Sequence, residues 1–77
     1  MPPNALTEGD ITRTLREMGY TIRDEGPNGL VYYKHPEIPV GYLVFDFSRG
    51  PIPWNLVEQD LEESGVNIDA FVVYLDC

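Results

Sequence analysis

The sequence predicts an α+β domain in the order α-β-β-β-α, a three-stranded antiparallel sheet packed by two helices, with one short element after the second helix. Three observations predict it. Apolar residues recur at helical spacing between Thr7 and Gly19, and do so again between Pro53 and Gly65. Between those segments, residues 20–47 break into short runs rich in Tyr, Val and Phe, separated by Gly, Pro, Asn and Asp.

The first helix opens at Leu6-Thr7-Glu8-Gly9-Asp10-Ile11. Thr7 is the expected N-cap, Asp10 lies three residues on, and Leu6 and Ile11 are placed for a hydrophobic staple. Ile11, Leu15 and Met18 share one face, Thr12, Arg13 and Arg16 face outward, and Gly19 supplies the left-handed exit. Residues 1–5 precede this pattern and are expected to be a flexible N-terminus within a single domain spanning residues 1–77.

Tyr20 to Asp24 alternates apolar and polar, Asp24 to Gly29 is a cluster of turn formers, and Leu30 to Lys34 is β-branched and aromatic. Residues 20–34 therefore predict a hairpin. A link punctuated by Pro36 and Pro39 leads to a third strand, Tyr42 to Phe47. Pro53 suits the first turn of the second helix, whose apolar residues Trp54, Val57 and Leu61 share a face with Leu56 alongside, before Gly65 closes it. The run Phe71 to Leu75 predicts a short edge strand, with a helical turn starting at Asn67 as the competing reading. As a strand it would offer backbone pairing to a second copy of the chain, a possible homodimer contact.

Charge narrows the choice of partner. The formal net charge is −8 over 77 residues, and after Arg49 there is no Lys or Arg, whereas Glu58, Asp60, Glu62, Glu63, Asp69 and Asp76 all follow it. Such a surface gains no counterion-release free energy from nucleic acid and is repelled by anionic membranes, so a basic protein is the expected partner. No apolar run approaches the ~20 residues that span a bilayer. The single cysteine, Cys77, allows no intramolecular disulfide and no cysteine-based metal site. These features lead to the expectation of a cytoplasmic protein without metal or cofactor.

His35, the only histidine, stands at the end of the second strand beside Lys34, with Arg49 and Arg23 as the remaining candidates for a phosphate clamp. Its bland reading is an exposed strand-end residue. The carboxylates Glu58, Asp60, Glu62 and Glu63 lack the Asp-rich loop of a Ca²⁺ site and read as a solvated field able to steer a basic partner. Tyr32, Tyr33, Tyr42, Phe45 and Phe47 fall on adjacent strands. Some must face away from the helices, and Tyr32, Tyr33 and Tyr42 are the candidate aromatic anchors for a protein contact. Ser48 and Ser64 have no histidine partner at recognisable spacing.

Leu15-Arg16-Glu17-Met18-Gly19-Tyr20, the hairpin from Gly26 to Pro36, and Leu61-Glu62-Glu63-Ser64-Gly65-Val66 leading to Phe71 together resemble the HicA (YcfA-like) toxin family over roughly residues 6 to 75. The resemblance implies a fold related to the double-stranded-RNA-binding domain. It also implies a catalytic histidine in a Gly-Ser-His triplet opening the second strand, where this chain has Gly26-Pro27-Asn28. Asparagine cannot shuttle a proton near neutral pH, and a basic RNA-binding surface is missing from the composition. The leading expectation is a non-enzymatic acidic interaction domain, similar in size and charge to phage anti-CRISPR and anti-restriction inhibitors, that occupies a basic, nucleic-acid-binding surface of its partner. The alternatives are a divergent HicA-type messenger-RNA interferase using His35, paired with an antitoxin, and a degenerate HicA-like module for oligomerisation or antitoxin binding.

Overall fold

The computed structural model describes residues 4–38 and 41–76; the expectations for residues 1–3, Pro39 and Cys77 lie outside the described residues. The elements are β1 (Ala5–Leu6), α1 (Glu8–Glu17), β2 (Thr21–Glu25), β3 (Leu30–Lys34), β4 (Leu43–Asp46), β5 (Ile52–Pro53), α2 (Trp54–Glu63) and α3 (Ile68–Leu75). The domain is α+β, with an antiparallel sheet in the order β2-β3-β4 and a second, two-stranded sheet β1-β5.

Local chemistry explains the helix ends. The Thr7 hydroxyl accepts from Asp10 N at 3.1 Å while the Asp10 carboxylate accepts from Thr7 N at 3.1 Å, a reciprocal capping box. The two staple residues, Leu6 and Ile11, are fully buried. α1 and α2 leave by the same motif. Tyr20 N donates to Leu15 O at 2.9 Å and Gly19 N to Arg16 O at 3.0 Å; Val66 N donates to Leu61 O at 2.9 Å and Gly65 N to Glu62 O at 3.1 Å.

β3 and β4 turn Val31, Tyr33, Leu43 and Phe45 toward the helices, where they join Leu15, Val57 and Leu61 in the core. Tyr32, Lys34 and Val44 fall on the opposite, partly open face. α1 lies against β2, α2 lies against β4, and α3 packs on both helices.

Two expectations are corrected here. Residues 71–75 are helical, as in the competing reading of a helical turn starting at Asn67, and not an edge strand, so the homodimer contact expected from that strand has no strand to form it. Asn67 caps α3 by accepting from Ala70 N at 3.1 Å, and Phe71 is buried and stacks on Trp54 with centroids 6.1 Å apart. Across the fold, Arg13 Nη2 donates to Leu75 O at 3.1 Å and Nη1 to Tyr74 O at 3.4 Å, placing a cation at the negative end of the α3 dipole. An apolar run of five residues satisfies either period. Burying Phe71 between α1 and α2 while satisfying its backbone internally favours the helix.

The second correction concerns the N-terminus. Ala5 and Leu6 pair with Pro53 and Ile52, and Trp54 N donates to Asn4 O at 2.8 Å, so Asn4 and Ala5 are held rather than flexible. Pro53 fits this strand because Trp54 holds the hydrogen-bonded position opposite Asn4, so the N–H that proline lacks would point away from β1.

Candidate functional site

The sheet's alternation separates the two adjacent tyrosines. Tyr33 is fully buried, its hydroxyl hydrogen-bonded to Thr12 Oγ1 at 2.7 Å, and burial raises its pKa. It is therefore a core residue, which corrects its place among the partner-binding anchors. Tyr32 lies on the open face, edge-on to Tyr42 with centroids 6.0 Å apart. Tyr42 is the more accessible, at 54% exposure, and Lys34 Nζ sits 5.4 Å from its ring centroid while donating to Gly41 O at 3.0 Å.

His35 is only half-exposed, not the bare strand-end residue expected. Its Nδ1 accepts from Glu37 N at 3.1 Å and its ring meets Tyr20 edge-on at 5.0 Å. The other nitrogen, Nε2, lies over Gly19, where a Cβ would stand 2.9 Å from it. The ring lines two concavities, one shared with Tyr42 and Glu63 and the other with Met18, Glu37 and Asn67; neither lining contains Lys or Arg. A phosphate approaching His35 would meet Glu63 or Glu37 in place of a clamp. The candidate cations lie elsewhere: Lys34 sits over Tyr42, Arg49 lines the concavity of Asp46, and Arg23 lines another with Asp24 and Tyr32. Asn28, which the resemblance sets against a catalytic histidine, is exposed in the β2–β3 turn.

The four carboxylates of α2 do not form one face. With 100° per residue, Glu58 and Glu62 fall on one flank of the Val57–Leu61 core stripe, and Leu56, Asp60 and Glu63 fall on the other. The cavity linings agree with this division. Asp60 shares a concavity of about 360 Å³ with Asp46, Arg49 and Leu56, and Glu63 shares one of about 300 Å³ with Tyr42, Leu43 and His35.

Both concavities lie between α2 and β4. Burial, with a further contribution from Glu63, pushes the Asp60 carboxyl above its ordinary pKa. Hydrogen bonds from the Ser48 hydroxyl and backbone hold Asp46 below its ordinary value, with Arg49 adding to the effect. The ion pair found among the described residues joins Arg13 and Glu17 on α1 at 3.6 Å, so no cation neutralises Glu58, Glu62 or Glu63 there.

Leu56, expected alongside the buried face of the second helix, is instead 47% exposed and lines a concavity with Asp60. Its position four residues before Asp60 and seven before Glu63 was the available signal. Among the described residues no cluster of three or more His, Cys, Asp or Glu side chains is arranged to hold a metal ion, and no helix is long and apolar enough to cross a membrane.

Comparisons with protein-family models, curated proteins and solved structures find no match. The resemblance to the HicA family thus rests on the sequence features named above.

Proposed function

We propose that this chain is a non-enzymatic interaction domain that binds a basic protein surface, one of the kind that receives nucleic acid, in the manner of a small acidic inhibitor. The observation carrying this reading is that an accessible aromatic, Tyr42, and an unneutralised carboxylate, Glu63, line the same groove. An aromatic supplies apolar contact area at low entropy cost, and the carboxylate selects for Lys or Arg beside it. Glu58 and Glu62, on the far flank of α2, contribute to the field felt by an approaching partner within a Debye length of about 8 Å at physiological salt.

The seating of His35 favours this reading over nuclease chemistry. Its Nδ1 is committed as an acceptor, its Nε2 is packed on Gly19, and both of its cavities are lined without a cation.

The test is capture of partners from a host lysate with wild type and with Glu58→Gln/Asp60→Asn/Glu62→Gln/Glu63→Gln, followed by association kinetics over a salt series. Basic proteins retained by wild type and lost by the variant, with an on-rate falling as salt rises, are expected. Equal capture by both proteins, or a salt-independent on-rate, overturns the reading.

A further inference from the structure

We infer that β4 is a docking edge for an extended basic segment of a partner protein, which adds to the sheet as a fourth strand alongside α2. This rests on the reading of the chain as a binder of basic proteins and names the form in which the partner arrives.

Among the described residues no strand pairs with the outer side of β4. Leu43 and Phe45 pair with Tyr33 and Val31, and Phe47 N donates to Gly29 O at 2.9 Å. Antiparallel alternation then turns the backbone groups of Leu43 and Phe45 toward β3 and those of Val44 and Asp46 outward, away from the sheet. The opposite edge is different. β2 carries an extra residue at Arg23, between Ile22 and Asp24, and reads Arg-Asp-Glu along its outer half. A bulge and a run of charged side chains are usual protections of an edge, and β4 is regular across its four residues.

The space beside β4 also has a matching chemistry. An added strand would lie about 4.8 Å beyond β4 and present every second side chain to α2, at intervals of roughly 6.8 Å. The facing flank offers Leu56, then Asp60 and Glu63, separated by about 6 Å and 4.5 Å of helix rise. An apolar residue therefore suits the Leu56 end and Lys or Arg the positions that follow. Asp60, partly buried and crowded by Glu63, is a carboxylate that an incoming cation would relieve. Arg49 lies at the Asp46 end of the groove and excludes a basic residue there. A second copy of this chain is a poor occupant, because each copy has a formal net charge of −8.

The probe is a short synthetic peptide whose alternate residues on one face read valine, lysine, lysine, with threonine between them, compared with the same peptide N-methylated at alternate residues along either edge. Binding and amide exchange are followed by NMR with the intact chain. The unmodified peptide is expected to bind and to slow exchange at Val44 and Asp46. Methylation of the edge that meets β4 should weaken it about tenfold or more, equivalent to losing two ladder hydrogen bonds, and Asp60→Asn/Glu63→Gln should weaken it as well.

Equal binding of all peptides with unchanged exchange at Val44 and Asp46, but loss on neutralising the carboxylates, overturns strand addition and leaves acidic docking standing. No binding of the unmodified peptide overturns strand addition even where lysate capture succeeds. Self-association that protects Val44 and Asp46 without peptide overturns it in favour of a second copy.

Discussion

Replacing Gly19 by alanine tests whether His35 is a packing residue. Gly19 has φ +98° at the exit of α1, and an added Cβ would stand 2.9 Å from His35 Nε2 and 3.4 Å from Cδ2. Two costs follow. Holding alanine in a left-handed conformation costs about 1–2 kcal/mol, and displacing the imidazole off its rotamer costs about 0.5–1.5 kcal/mol more. Together they amount to about 1.5–3.5 kcal/mol, which for a domain of this size lowers the melting midpoint by roughly 6–28 °C.

The two parts separate in a double-mutant cycle with His35→Ala, followed by urea and thermal denaturation in far-ultraviolet circular dichroism. Without the ring the steric part vanishes, so Gly19→Ala should cost about 0.5–1.5 kcal/mol less in the His35→Ala background. A coupling near zero would show that the ring does not rest on Gly19, and an unchanged midpoint for Gly19→Ala would refute the exit geometry itself. Either result would reopen His35 to proton-transfer chemistry.

Asn67→Ala removes the cap of α3 and should cost about 1 kcal/mol; because Phe71 stacks on Trp54, tryptophan fluorescence reports the loss, and an unchanged unfolding midpoint would count against a capped α3. Asp60 and Asp46 should respond to pH in opposite senses. The folded-state pKa of Asp60 is raised, so its contribution is present below its unfolded pKa and lost as pH rises through the folded value. Asp60→Asn should therefore stabilise the domain at neutral pH and lose that advantage in acid. The folded-state pKa of Asp46 is lowered, so its contribution is present above the unfolded pKa and lost as pH falls, and Asp46→Asn should destabilise at neutral pH. Denaturation midpoints over a pH series decide both, and effects of the same sign would contradict the assigned environments.

The candidate site was legible residue by residue but not as an arrangement. Tyr32 and Tyr33 are bound by the strand period to opposite faces, yet no local signal says which face the helices cover, and only the packing made Tyr33 core. The α2 carboxylates are obvious in composition. Their division depends on where Val57 and Leu61 dock, which sends Asp60 and Glu63 toward β4 and leaves Glu58 and Glu62 in solvent. Leu56 looked like an ordinary helix residue until β4 lay beside it.

The sequence by itself determined the punctuation of the fold. The Thr7–Asp10 box, the exits at Gly19 and Gly65 and the turn before Leu30 act over three to five residues, so their outcome is written in adjacent side chains. The tertiary structure decided whatever depends on a distant partner. Phe71 to Leu75 became helix because Trp54 and Arg13 meet it there, Asn4 and Ala5 were ordered by Ile52 to Trp54, and β4 came to pair, among the described residues, with β3 on one side only. Contacts of that kind are gained only after the intervening chain has closed, and no short window of residues contains the groups that make them.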